Sequence, residues 1–308
     1  MTKAAVIGLG TMGPGMAATL LQGGMIVSAF DVSADQRSRA LAGIKAALGV
    51  LEALGVPDRA AGRSVAVVDS LAACVADADL VIETVPEKLP LKSEIFKAVE
   101  GLVGPSCILA SDTSGIPITK LQAAVSTPER LIGMHWSNPP HIIPVIEVIA
   151  GARTSPATVD WMVEAIKGLN LLPILIKKDV PGFVENRILY AIMREAVDLV
   201  EKGVIEPEAL DTCVSWGIGY KLSVVGPMAL LDMAGLDVYQ AVGSYLNKEL
   251  CNRRDVGRFV TDRTAEGRLG IKTGGGIFDY TAESARSLAA RRARKLVAVR
   301  KALDAADA

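Results

Sequence analysis

The segment Lys3-Ala4-Ala5-Val6-Ile7-Gly8-Leu9-Gly10-Thr11-Met12-Gly13 decides how the chain is read. A short apolar run breaks into glycines spaced G-x-G-x-x-G, and an Ala- and Leu-rich stretch follows. In strand–turn–helix context, Gly8 permits a tight turn, Gly10 lets a pyrophosphate approach the main chain, and Gly13 lets helix and strand pack closely. Unpaired N–H groups and the helix dipole then favour an anion at the helix start. Gly8, Gly10, Thr11, Met12 and Gly13 are therefore the expected phosphate-side contacts. Glycine turns are common, so the motif alone is weak. It gains weight from Asp31, which ends the next apolar run, Met25–Phe30, about 20 residues downstream, where a carboxylate accepts from the adenosine ribose hydroxyls. Asp31 repels a 2′-phosphate, and Val32 beside it offers no compensating arginine. NAD is the expected cofactor, in preference to NADP.

Working outward, further apolar runs lie at Ser64–Val68, Leu80–Ile82, Cys107–Ala110, Leu131–Met134, Val145–Ile149 and Leu171–Ile176. Helical patterns intervene at Pro90–Val99, Pro117–Ala124 and Thr158–Lys167. Strands separated by helices imply a parallel sheet. The expected class is α/β, a Rossmann-type doubly wound, mostly parallel sheet. After Asp179-Val180-Pro181-Gly182 strand signals stop, and helices are expected at Asn186–Lys202, Pro207–Ser215, Met228–Gly243 and Ala282–Leu303. The Pro-Gly pair reads as a junction. This divides the chain into an NAD-binding domain, 1–180, and an all-α C-terminal domain, 181–308, expected to carry the substrate cleft and a homodimer interface.

Composition narrows the partners. With 308 residues, half of them hydrophobic, the chain can bury a large core. Its 33 Lys plus Arg balance 34 Asp plus Glu, which disfavours nucleic acid and anionic membranes as partners. No apolar run approaches the roughly 18 residues of a membrane span. The cysteines, Cys74, Cys107, Cys213 and Cys251, lack metal-ligand spacing, so free thiols, no metal and a cytoplasmic location are expected.

Both histidines of the chain fall in one segment, His135-Trp136-Ser137-Asn138-Pro139-Pro140-His141. His135 follows an apolar run, at the sheet end where doubly wound folds bind ligands. Glu147 sits inside the next apolar run, where an unpartnered carboxylate is costly. Two adjacent strands joined by a turn bring these residues together, and a His held by a carboxylate is the base an alcohol dehydrogenation needs near pH 7.

From these motifs the chain resembles the 3-hydroxyacyl-CoA dehydrogenase family over nearly its whole length. The likeness runs through Gly8 to Ala17, Ala78 to Glu87, Ser111-Asp112-Thr113-Ser114, His135 with Asn138-Pro139 and Glu147, Asp179 to Arg187, Gly226 to Asp237, and Lys272 to Tyr280. The resemblance implies His135 as base, Glu147 as its orienting partner, and Ser114 and Asn186 around the reacting oxygen. It also implies Glu87 and Lys92 near the nicotinamide, and Asn138 toward the substrate. Two departures favour the branch of the family that acts on free carboxylates. The arm at Ser33–Gly62, where acyl-CoA enzymes carry lysines, holds only Arg37, Arg39, Lys45 and Arg59. The segment Gly217-Ile218-Gly219-Tyr220-Lys221 resembles that branch, with Lys221 placed to anchor a substrate carboxylate as a point charge. Trp136 to His141 resembles a member oxidising a hydrated aldehyde on a pyridine carboxylate, with His141 expected at the pyridine's polar edge. The expected activity is hydride transfer to NAD from a hydroxyl or hydrated-aldehyde carbon of a small carboxylate. The alternatives are a 3-hydroxyacyl-CoA substrate or a non-catalytic NAD-binding protein.

Overall fold

A computed structural model describes residues 1–306. Eight strands form one sheet: β1 (Lys3–Ile7), β2 (Ile26–Phe30), β3 (Ala66–Val67), β4 (Leu80–Glu83), β5 (Ile108–Ser111), β6 (Leu131–Trp136), β7 (Val145–Ala150) and β8 (Leu172–Ile176). Their order is β3-β2-β1-β4-β5-β6-β7-β8, and every pairing is parallel except β6 with β7. The strand order reverses between β1 and β4, which opens a crevice at the C-terminal strand ends.

Alternate strand residues feed two cores, one on each face. Val6, Val27, Ile82, Ala110 and Ile132 pack with α1 (Gly13–Gln22), α2 (Ala34–Ala53) and, from later in the chain, the helix Pro156–Gly168. Ala5, Ile7, Val81 and Leu109 pack on the other face with α3 (Leu71–Val75), α4 (Leu89–Glu100) and α5 (Ile118–Leu121). Burial on both sides is why these strands read as unbroken apolar runs. Serine caps set helix starts: Ser33 accepts from Gln36 N–H before α2, and Ser155 from Thr158 N–H before α6 (Pro156–Gly168).

The chain divides into two compact units, the first comprising Met1–Asn186 with Leu296–Lys301, the second Arg187–Lys295 with the chain from Ala302. The helix α7 (Glu185–Glu201) begins in the first unit. The second holds α8 (Pro207–Cys213), a π-helical segment Val214–Gly219, α9 (Tyr220–Leu222), α10 (Pro227–Ala234), α11 (Leu236–Glu249), α12 (Arg258–Ala265) and most of α13 (Ala282–Ala306). The single helix expected over Met228–Gly243 is instead two, because Gly235 takes φ +95° and ends α10. No residue of α8 to α13 is buried. All four cysteines are free, and no single helix among the described residues is long and apolar enough to cross a membrane.

Candidate active site

The glycine turn after β1 has the close approaches its spacing implies. Gly8 lies at φ +102°, and a Cβ there would stand 2.6 Å from the Thr84 carbonyl oxygen; one on Gly13 would meet the Gly8 carbonyl at 2.1 Å. Over Gly10, by contrast, nothing lies within 4 Å. That open main chain faces a cavity of about 710 Å³, whose wall includes Gly8, Gly10, Thr11 and Met12. Asp31 and Gln36 line one end, and Thr84, Glu87, Asp112 and Ser114 the other. Asp31 is held in place, its carboxylate accepting from Leu9 N–H and Ser33 N–H, each at 2.8 Å. The volume, the exposed turn at the start of α1 and the carboxylate at one end fit an extended dinucleotide.

His135 and Glu147 are directly opposed in the antiparallel β6–β7 ladder. Directly paired residues project from the same face about 5 Å apart, and here His135 Nδ1 and Glu147 Oε2 stand 2.8 Å apart. The other oxygen of Glu147 accepts from the main-chain N–H of Val184 (2.9 Å) and Glu185 (3.0 Å), at the first turn of α7. Burial raises the Glu147 carboxyl, but the His135 hydrogen bond and those two N–H groups outweigh it, and its pKa is lowered. Burial likewise works against a charge on His135. The Glu147 hydrogen bond and the negative Asp112, Glu147 and Glu185 prevail, so the imidazole pKa is raised. With Nδ1 committed to Glu147, Nε2 is the nitrogen left for proton exchange.

The segment that read as a domain junction is a strap across this site. Asp179 anchors it, accepting from Ile118 N–H and from Thr119 N–H and Oγ1–H at the start of α5. Gly182 and Phe183 both take left-handed conformations, φ +76° and +48°. For Phe183 this costs on the order of 1 kcal/mol, and it sets the buried ring 5.7 Å from the His135 ring. The next residues supply the N–H groups on Glu147. Glu185 accepts a short hydrogen bond from Ser137 Oγ–H, and Asn186 donates through Nδ2 to the Ser114 carbonyl at 2.9 Å. Ser114 and Asn186, both expected around the reacting oxygen, are thus neighbours. His135, Glu147 and Glu185 place one nitrogen and two carboxylates within 4.8 Å of one another. Nδ1 is already bound to Glu147, which is itself bound to main chain, an arrangement suited to moving a proton.

Lys92 and His141 lie off the cavity lining. Glu87 lines the cavity, but its Oε1 is enclosed by Thr113 Oγ–H and the N–H groups of Ser114, Gly115 and Ile116 at 2.6–3.3 Å, so it shapes the turn that carries Ser114. Lys92, expected at the cofactor, is buried: its ammonium stands 2.7 Å from Glu83, 3.2 Å from the Val85 carbonyl and 3.5 Å from Glu87. It reaches the cavity wall through Val85 and Glu87 rather than lining it. His141, expected at the substrate, instead turns toward α1 beside Gly15, in a small cavity lined by Thr19, Leu51, Leu54 and Arg300. Its Nδ1 is buried without a partner, and burial lowers its pKa. The intervening prolines turn its ring to the α1 side of the sheet. Asn138 is exposed in the turn after β6, and Lys221 is exposed in the second unit.

Sequence reasoning passed over Asp112, buried after β5, and Glu185 and Phe183 of the strap. Asp112 stood only as the variable position of a motif. Phe183 and Glu185 follow a Pro-Gly pair whose ordinary meaning is a linker.

Residues 3–180 match the NAD-binding domain of 3-hydroxyacyl-CoA dehydrogenase, and residues 182–280 match its C-terminal domain. Among curated proteins, 5-formyl-3-hydroxy-2-methylpyridine 4-carboxylate 5-dehydrogenase of Mesorhizobium japonicum is 58% identical over 97% of both chains. An L-carnitine dehydrogenase of Streptomyces griseus is 37% identical over 76% of this chain and 70% of its own. A crystal structure of a 5-formyl-3-hydroxy-2-methylpyridine 4-carboxylic acid 5-dehydrogenase, described as an NAD+-dependent dismutase, superposes with TM-score 0.96 at 58% identity, covering 99% of each chain. That of (S)-3-hydroxybutyryl-CoA dehydrogenase from Ralstonia eutropha gives 0.73 at 34% identity, covering 91% of this chain and 99% of its own.

Proposed function

The chain belongs to the 3-hydroxyacyl-CoA dehydrogenase family and is an NAD-dependent oxidoreductase; we propose that it oxidises 5-formyl-3-hydroxy-2-methylpyridine 4-carboxylate, as the hydrated aldehyde, to the dicarboxylate. The observation that carries this reading is the 58% identity over 97% of both chains to an enzyme named for that substrate. NAD, when bound, supplies the hydride acceptor. His135 Nε2 takes the proton from one hydroxyl of the gem-diol while the hydride leaves the same carbon, and the second oxygen becomes part of the product carboxyl. Glu147 keeps Nδ1 protonated and stabilises the imidazolium that forms. Ser114 and Asn186 hold the reacting oxygen. With the direction reversed, the imidazolium returns its proton to an aldehyde oxygen and an alcohol results, which a dismutation requires.

Lys221 is assigned to a substrate carboxylate and Asn138 to substrate contact, each on the family resemblance of its own segment. Against a CoA ester stands the base-poor α2, whose Arg37 is occupied with the carbonyls of Asp31 and Val32. Residues 1–180 serve as the NAD-binding domain and 181–308 as the domain that dimerises. Support for a homodimer comes from α10 and α11, which leave Met233, Leu236 and Tyr245 61–74% exposed. We place the enzyme in the cytoplasm, with a small carboxylate as its partner and neither nucleic acid nor membrane. The deciding experiment follows NADH with the pyridine aldehyde, L-carnitine and 3-hydroxybutyryl-CoA side by side. Saturable turnover of the aldehyde with an inert CoA ester is expected; efficient turnover of the CoA ester with an inert aldehyde overturns the assignment.

A further inference from the structure

One buried charge in the cavity has no part in the proton transfer just described. Asp112 follows β5, is 8% exposed and lines the cavity at the end where Thr84 and Ser114 lie. Its Oδ1 accepts from Trp136 N–H at 2.9 Å, which ties it to the strand carrying His135; its Oδ2 accepts from Thr84 Oγ1–H at 2.9 Å. Neither partner is a cation. The charged groups that face it are His135 on β6 and Lys92 on α4. The Lys92 ammonium is engaged by Glu83 and Glu87, and His135 is neutral whenever it acts as a base. Burial pushes the Asp112 carboxyl up to about 7, against the opposing hydrogen bonds from Trp136 and Thr84. Both of its charge states are therefore reached near neutral pH.

Asp31 takes the adenosine ribose and the glycine turn takes the pyrophosphate, so the nicotinamide falls at the β4–β5 end, beside His135. The nicotinamide ring is cationic when oxidised and neutral when reduced. We propose that Asp112 is the counter-charge to the oxidised nicotinamide, ionised when the oxidised cofactor occupies the cavity and protonated when the reduced one does. The assignment rests on the NAD-binding reading of this cavity and adds to it a residue that discriminates between the two cofactor states. A proton must then leave Asp112 for solvent when NAD+ binds at or below neutral pH, and none when NADH binds. Affinity for NAD+ rises with pH up to neutrality, while affinity for NADH is level below neutrality and falls above it, where its binding takes up a proton.

The test is calorimetric titration of NAD+ and NADH into the full-length protein at pH 6–8, in buffers of different ionisation enthalpy, which counts protons released on binding. Wild type, Asp112→Asn and His135→Asn are compared, because a titrating His135 would give the same pH trend. Proton release on NAD+ binding is expected in wild type and His135→Asn and absent in Asp112→Asn. The NAD+:NADH affinity ratio should fall about tenfold in Asp112→Asn, one pKa unit of charge interaction. Release that persists in Asp112→Asn, or disappears in His135→Asn instead, overturns the proposal. So does an equal loss of affinity for both cofactors, the signature of a merely structural residue. Should Asp112→Asn fail to fold, wild type and His135→Asn decide alone: no NAD+-linked release in either overturns it. Failure of the substrate assignment shows separately, as proton-linked NAD+ binding without aldehyde turnover.

Discussion

Glu147→Gln separates the two duties of the dyad. In the wild type one carboxylate oxygen accepts from His135 Nδ1 and the other from the N–H groups of Val184 and Glu185. Glutamine has one acceptor, and two main-chain donors claim it. Its amide nitrogen then faces His135, so Nδ1 must accept and the proton moves to Nε2. That tautomer has no lone pair for the substrate hydroxyl. A general base is worth roughly 10²–10⁴ in rate, and loss of the correct tautomer in a related His–carboxylate pair costs about 10⁴. Turnover of the pyridine aldehyde should therefore fall by about 10³-fold, or about 4 kcal/mol of barrier. The affinity for NAD+ should hold, since Glu147 does not line the cofactor cavity. The pH profile carries a second signature. The His135 pKa is raised in the wild type, so the neutral base accumulates only above its ordinary value of about 6.5, and the rate of oxidation climbs with pH across that region. Losing the carboxylate lowers that pKa, so the residual activity of Glu147→Gln should climb at lower pH. Steady-state NADH formation from pH 5 to 9 measures both effects. Turnover within fivefold of wild type, with the limb unmoved, would refute the assignment of Glu147.

Three further outcomes follow from the same geometry. Asp31→Asn keeps the side chain's shape but drops its charge, leaving Arg37 on the neighbouring carbonyl; the NAD:NADP ratio of kcat/KM should shrink at least about tenfold, and an unchanged ratio would show that Asp31 does not select the cofactor. Asp112→Asn should stabilise the apoprotein with rising pH: the folded carboxyl titrates at about 7 against an ordinary 3.8, so wild-type stability is intact below about 4 and is lost as pH rises to about 7. The gain in unfolding free energy should be about 3 kcal/mol larger at pH 8 than at pH 5, and denaturant midpoints that move equally at both would rule this out. Lys92→Met strands the buried Glu83 charge and should cost about 3 kcal/mol, with partial recovery on adding Glu83→Gln; normal stability with weakened NAD binding alone would return Lys92 to the cofactor.

The bodies of the strands were legible because parallel strands buried on both faces read as apolar runs. Their C-terminal ends were not. The reading stopped at Ile82, Ala110 and Met134, whereas the strands run on through Glu83, Ser111, His135 and Trp136. Hydrophobic periodicity fails there for a physical reason: at the C-terminal strand ends Glu83, Ser111 and His135 are polar, and their burial is stabilised by hydrogen bonds that a residue pattern does not show. The His135/Glu147 pair could be found because a carboxylate in an apolar run demands a partner. Asp112 demanded one equally, but a motif position hid it. Lys92 and His141 were misplaced because residue type fixes neither depth nor the side of the sheet a turn chooses. The Pro-Gly pair at 181–182 reads as a domain junction, because such a pair marks a bend equally well in a tether and in a clamp.

The antiparallel pairing of β6 with β7 has a consequence for how such an enzyme changes its diet over evolutionary time. His135 and Glu147 are fixed to each other by a ladder of main-chain bonds, and the second oxygen of Glu147 is held by backbone N–H groups. Residues 137–144, which join the two strands, lie outside that ladder, although Pro140 and Ile142 among them are buried. Ser137 is tied to the cluster through Glu185. A lineage can therefore rewrite the exposed part of this turn while keeping the His135–Glu147 pair in register.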